Sequence, residues 1–88
     1  MMDDADFLRR LKERIEASTE SSIDVTLDED NPRNVAVDFS TPVPRVTVGQ
    51  DALENPGLAR MIMQYAILCL KNGKVASQDE FLVFLRRN

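Results

Sequence analysis

The chain has no histidine and no tryptophan, and only one cysteine and three glycines among its 88 residues. Histidine is the commonest general base and metal ligand near neutral pH, so its absence argues against most enzyme classes. No glycine-rich phosphate-binding motif occurs either. The sequence therefore predicts no catalytic residue, no metal site and no cofactor.

The single cysteine and the absence of a targeting pattern bear on location. Cys69 has no partner for an internal disulfide, which is typical of a reducing compartment. The N-terminus, MMDDADFLRR, has acids where a signal peptide carries positive charge. The longest apolar run, 58–70, is shorter than the ~20 residues of a membrane span and contains Arg60. We expect a soluble cytoplasmic protein without membrane contacts.

Length and charge limit the remaining classes. A chain of 88 residues predicts one domain, 1–88, with a modest core. Acidic residues outnumber basic ones by 15 to 11, which disfavours binding to phosphate backbones. The basic group Arg9, Arg10 and Arg14 alternates with acids, as on a solvated helix face. A nucleic-acid accessory role for this group is the third and weakest alternative, and nucleic acid is not an expected partner.

Three short runs alternate apolar and polar residues, as half-buried strands do; they lie at about 23–28, 34–39 and 45–48. Turn-forming residues 29–33 separate the first two runs and predict a hairpin between them. The register that keeps every apolar side chain on one face pairs Leu27 with Val35, Val25 with Val37 and Ile23 with Phe39. We expect a three-stranded antiparallel sheet with one face in water.

Helices are predicted before and after these strands along the sequence. A first helix begins at Asp3 or Asp4 and ends near Ala17, and a helical turn covers 50–54. A long helix covers about 57–72 and ends at Gly73. The apolar run 81–85 fits a strand or a helix, and the capping-box pattern from Ser77 favours a helix. The order α-β-β-β-α-α predicts a small two-layer α+β domain with helices covering one face of the sheet.

The long central helix is apolar over most of its circumference. On a helical wheel Arg60, Gln64 and Lys71 fall within about 40°, and apolar residues cover about 220° of the rest. An ordinary surface helix has an apolar stripe of about 100°. Two arrangements remain open: the helix is enclosed within one chain, or part of its surface meets a second copy across a two-fold axis.

We favour the second arrangement, a homodimer or a subunit of a larger assembly, because a small domain gains much buried area by association. The leading hypothesis is thus a non-enzymatic protein–protein interaction module, and an enzyme is the least supported reading. Seven residues form the expected interaction surface: Met61, Met63, Ile67, Leu70, Phe81, Val83 and Phe84.

The polar sheet face supports an alternative function. In the predicted hairpin Asp24 and Asp38 stand directly opposite each other, and Asp28 faces Asn34. If the third strand pairs Thr47 with Asp38, Arg45 becomes a diagonal neighbour of Asp38. This acidic face favours a small ion- or ligand-binding regulator, although two carboxylates without a third ligand are a weak metal signal. The simpler interpretation is that Arg45 and solvent relieve the repulsion.

Overall fold

The computed structural model describes residues 4–87 and confirms a small α+β fold in which helices pack on a three-stranded sheet. The predicted start at Asp3 lies outside the described residues. The elements follow the predicted order, with the short turn as a helix of its own: α1 (Asp4–Thr19), β1 (Asp24–Asp28), β2 (Val35–Asp38), β3 (Arg45–Gly49), α2 (Asp51–Glu54), α3 (Pro56–Asn72) and α4 (Gln78–Arg87).

The sheet is mixed, and the predicted hairpin of β1 with β2 is wrong. The strand order is β1-β3-β2, so β3 lies between them, parallel to β1 and antiparallel to β2. On the inner face of the sheet the cross-strand partners form two rows of side chains, Val25–Val46–Val37 and Leu27–Val48–Val35. Two of the three predicted β1–β2 pairs, Leu27 with Val35 and Val25 with Val37, thus stay in one row but are separated by a valine of β3. The third pair, Ile23 with Phe39, lies outside the paired strands. The alternation of apolar and polar residues determines which side chains of a strand face the core. It does not determine which strands are neighbours, because the same side chains face the core whether or not a third strand is inserted.

The loop between β1 and β2 crosses the end of β3 at Gly49. The Gly49 N–H donates to the Asn34 carbonyl at 2.8 Å, and the Asp51 N–H donates to the Pro32 carbonyl at 2.9 Å. A Cβ atom at Gly49 would collide with the backbone of Pro32 and Asn31. Glycine therefore allows the close backbone approach that the inserted strand requires.

The outer edge of β2 is joined to the turn between α3 and α4. Val37 and Ala76 exchange two backbone hydrogen bonds, with N···O distances of 3.1 and 3.0 Å. Ala76 is buried, and α4 begins two residues later. This bridge places the start of α4 beside the sheet.

Helix α3 has the ends that its sequence encodes. The Asn55 side chain accepts a hydrogen bond from the Leu58 N–H at 3.1 Å, and Pro56 follows it in the first turn. Gly73 ends the helix with φ 63°, as predicted for the cap. Within residues 4–87, no helix has both the length and the apolarity needed to span a bilayer.

The core lies between the inner sheet face and the helices. α3 contacts α1, α2, α4 and β2, and it buries Ile62, Tyr65, Ala66 and Cys69. The opposite wall includes Val46 and Val48, which are fully buried. The single chain therefore covers most of the apolar circumference of α3, as in the enclosed arrangement.

The crossing at Gly49 makes a specific substitution costly. We expect Gly49→Ala to lower the free energy of unfolding by about 1–3 kcal/mol, because the added methyl group displaces the 29–34 loop. Gly57→Ala is the matched control, since its Cβ would meet only the Asn55 Oδ1 at 3.4 Å. That change should stabilise α3 by up to about 1 kcal/mol. Urea unfolding measures both, and equal effects of the two substitutions would contradict the crossing.

Candidate functional site

In the described part of the chain, the large apolar side chains that are strongly exposed lie in one region. Among residues 4–87, four large apolar side chains are strongly exposed: Leu68 at 49 %, Val75 at 60 %, Leu82 at 46 % and Val83 at 48 %. All four belong to α3, α4 or the turn that joins them. Single exposed apolar residues are ordinary, but two adjacent ones on one short helix mark a candidate contact surface.

The outward side of α4 carries an ordered stripe. Asp79, Leu82, Val83 and Arg86 are spaced i, i+3, i+4 and i+7, so they share one helix face, and all four are exposed. We call these four residues the α4 stripe. Its acid lies in the first turn of the helix and its base lies in the last, where each suits the helix dipole.

The inward side of α4 is fixed by an aromatic cluster. The ring of Tyr65 lies 5.3 Å from that of Phe81 and 5.0 Å from that of Phe84, measured between centroids. The Phe81 and Phe84 rings are 6.3 Å apart. These tilted and stacked contacts hold α4 against α3 and leave the α4 stripe facing away.

The residues predicted as an interaction surface lie at different depths. Phe81 is only 3 % exposed and belongs to the core, whereas Val83 is exposed on the α4 stripe. The other five are partly buried and pack against the core: Met61, Met63, Ile67, Leu70 and Phe84. Sequence analysis missed Leu68, Val75 and Leu82. A helical wheel of 78–87 carries the missing signal for Leu82, since it groups this residue with Asp79, Val83 and Arg86.

The acidic sheet face is arranged differently from the prediction. Asp24 and Asp38 do not face each other, because Arg45 lies between them and is the direct cross-strand partner of both. Thr47 is opposite Ala36, so Arg45 is not a diagonal neighbour of Asp38. The Arg45 Nε atom is buried and has no hydrogen-bond partner among the described residues. The inserted cation separates the like charges that the hairpin would have brought together.

Two of the carboxylates on this face are occupied by local hydrogen bonds. The Asp28 Oδ1 accepts from the N–H groups of Asp30 and Asn31, at 2.9 and 3.1 Å, and its Oδ2 accepts from the Asn34 amide at 2.8 Å. Asp38 accepts from the Ser40 hydroxyl and N–H, both at 2.7 Å. Within the described part of the chain, no group of three or more acidic or cysteine side chains is placed to hold a metal ion.

The hydrogen bonds lower the pKa of both carboxyl groups. For Asp28 the Asp30 N–H contributes most, followed by the Asn34 amide and the Asn31 N–H. For Asp38 the Ser40 hydroxyl contributes most, and Arg45 adds a smaller electrostatic effect. These residues organise the loops at both ends of the sheet.

Two titratable side chains lie inside the core near α4. Burial raises the pKa of the Cys69 thiol, so the reactive thiolate is disfavoured. Burial, followed by the neighbouring thiol, also raises the pKa of Tyr65 well above its ordinary value. The Tyr65 hydroxyl is buried next to the weakly polar Cys69 thiol and forms no hydrogen bond of good geometry with any residue in 4–87. Neither group is placed to act on an external substrate.

Replacing Asp28 tests its structural role. Asp28→Asn keeps an acceptor for two N–H groups but turns an amide donor toward the Asn34 donor, so we expect lower stability. The folded-state pKa of Asp28 is below its ordinary value of 3.8, so its contribution is complete above that pH and is lost as pH falls through the lower folded value. Acid unfolding followed by circular dichroism should therefore show a smaller loss of stability below that pH in the variant.

Glu29→Gln is the control for this substitution, because it removes the same charge from an exposed side chain without a hydrogen bond or ion pair among the described residues. An unchanged acid transition in Asp28→Asn would contradict the assigned role of the carboxylate.

The unpartnered hydroxyl of Tyr65 gives a second stability test. We expect Tyr65→Phe to raise the free energy of unfolding by about 1 kcal/mol, because it removes a buried donor without a partner and keeps the ring contacts. Tyr65→Leu also removes the ring and should lower stability. Urea unfolding distinguishes the two, and a loss of stability in Tyr65→Phe would show that the hydroxyl has a partner.

Comparisons with family models, with curated proteins and with solved structures find no match to this chain. Function must therefore be argued from the chain's own surface. Two features of the surface of residues 4–87 stand out: the confinement of strongly exposed large apolar side chains to the α3–α4 region and the ordered charges of the α4 stripe.

Proposed function

We propose that this protein is a non-enzymatic protein–protein interaction module that forms a homodimer through the α4 stripe. The observation that carries the proposal is that two strongly exposed apolar residues, Leu82 and Val83, lie on the same helix face as an acid at one end and a base at the other. This face is complementary to itself when it is turned through half a rotation.

The complementarity defines one register. Two antiparallel α4 helices related by a two-fold axis between Leu82 and Val83 bring Leu82 opposite the partner's Val83. The same operation brings Asp79 opposite the partner's Arg86, and the second copy of each pair follows by symmetry. Opposite charges then flank an apolar centre, which is the usual arrangement of a specific helix–helix contact.

The apolar centre supplies the driving force. Complete transfer of a Leu or Val side chain from water contributes about 1.5–3 kcal/mol, so the half-exposed Leu82 and Val83 each gain about half of that, and the two-fold contact buries four such side chains. Association costs at least about 4 kcal/mol in lost translational and rotational freedom, so these side chains decide whether the dimer forms. The flanking charge pairs lie at the rim and contribute mainly to register.

In this proposal the protein acts by binding, because the α4 stripe offers apolar area and charge but no nucleophile. We assign the role to the cytoplasm, where a single buried thiol such as that of Cys69 stays reduced.

Solution mass tests the proposal directly. Sedimentation at micromolar concentration should give a species of twice the 10.0 kDa chain mass, and Val83→Glu should reduce it to one chain. Burying a carboxylate in the apolar centre should weaken association at least about a hundredfold. Val75→Glu places the same charge on an exposed apolar residue outside α4, and it should remain a dimer. A native chain that sediments as a monomer throughout would refute the homodimer.

A charge exchange tests the register. Asp79→Arg places like charges at both ends of the interface, and Arg86→Asp does the same with the opposite sign. Each variant alone should associate more weakly than the native chain, whereas an equimolar mixture should associate more tightly than either variant alone, as a heterodimer in which all four facing charges are opposite. Equal association of the separate and mixed variants would contradict the antiparallel register.

A further inference from the structure

The basic residues of α1 fall into two groups. Arg9 pairs with Asp6 and Lys12 pairs with Glu16, each with an N···O distance of 3.2 Å. Arg10 and Arg14 form no hydrogen bond or ion pair with any residue in 4–87. The alternating charges therefore form ion pairs on the side of α1 that carries Arg9 and Lys12, and not on the side that carries Arg10 and Arg14.

The second group lines a cavity. Arg10 and Arg14 border a depression of about 340 Å³ between α1, α2 and the first half of α3, and Arg60 of α3 also lines it. Arg60 likewise has no hydrogen-bond or ion-pair partner among the described residues. The volume falls within the range of small-molecule sites, about 300–1,000 Å³.

The rest of the lining is largely apolar. Phe7, Leu11, Leu53 and Met63 contribute side chains to it, and none of the described lining residues is acidic. The chain has an excess of acidic residues over basic ones, yet no carboxylate of residues 4–87 lines this cavity. Three cations that have no ion-pair partner among residues 4–87 thus line one largely apolar cavity.

This arrangement has a physical consequence. Like charges one helical turn apart, such as Arg10 and Arg14, repel each other, and the repulsion is relieved when an anion binds between them. A guanidinium group presents parallel N–H donors that match the two oxygens of a carboxylate or phosphate. The apolar lining adds affinity only for a ligand that also has an apolar body.

We propose that the cavity binds a small anionic amphiphile. Its carboxylate or phosphate group lies among the guanidinium groups of Arg10, Arg14 and Arg60, and its apolar body lies against Phe7 and Met63. The site uses no residue of α4, so it is independent of the proposed dimer contact. A nucleic-acid backbone matches it less well, because the apolar lining would be left without a partner.

Calorimetric titration of the full chain tests the ligand class. The probes are octanoate and octyl phosphate, which distinguish the two headgroups, with octanol, acetate and inorganic phosphate as controls. At least one octyl anion should bind about tenfold or more tightly than every control, and it should raise the melting temperature as its concentration increases. The amphiphile would be overturned if neither octanoate nor octyl phosphate bound more tightly than acetate and inorganic phosphate, or if an oligonucleotide bound more tightly than either octyl anion.

Single neutralisations test the assigned residues. Arg10→Gln, Arg14→Gln and Arg60→Gln should each weaken binding of the preferred octyl anion about tenfold, because each removes a charged donor. These arginines are exposed and form no ion pair within residues 4–87, so the variants should fold, and a thermal melt checks that they do. Arg9→Gln removes the same charge from α1 outside the cavity and should leave affinity within about twofold. Equal weakening by all four substitutions would show that affinity depends only on the net charge of the protein, and it would overturn the site.

Discussion

The insertion of β3 between β1 and β2 is the constraint on which the other parts of the structure depend. It requires the 29–34 loop to pass over the end of β3 in backbone contact with Gly49, where no side chain fits. It also leaves β2 at an edge, where Val37 bonds to Ala76 and fixes the start of α4. The direction of α4, and with it the exposed stripe, follows from this placement.

Local features of the fold could be read from the sequence because they depend on neighbouring residues. Gly73 was predicted to end α3, which it does with a left-handed backbone, and the pattern after Ser77 identified α4 as a helix. The side-chain cap of Asn55 at the other end of α3 is also local, although the start of this helix was predicted at about 57. The strand order was not accessible in the same way. Val25 and Val37 lie in one row whether they are adjacent or separated by Val46, so alternation alone does not distinguish the two sheets.

The candidate site was predictable only in part for the same reason. The five consecutive apolar residues 81–85 do not show which of their side chains face the core, because that depends on how α4 packs against α3. The Tyr65 ring then selects Phe81 and Phe84 as inward, and Leu82 and Val83 remain outside. The large apolar circumference of α3 suggested self-association, but the chain covers most of it with its own helices and sheet. Within residues 4–87, two of the four large apolar side chains that stay strongly exposed lie next to each other on α4.

The central claim is that a second copy of the chain covers the outward face of α4. Isotope-filtered NMR on a mixture of labelled and unlabelled chains tests it most directly, because it detects only contacts between different molecules. The account predicts nuclear Overhauser effects between the methyl groups of Leu82 and those of the partner's Val83. Intermolecular contacts confined to other elements, or none at concentrations well above micromolar, would contradict it.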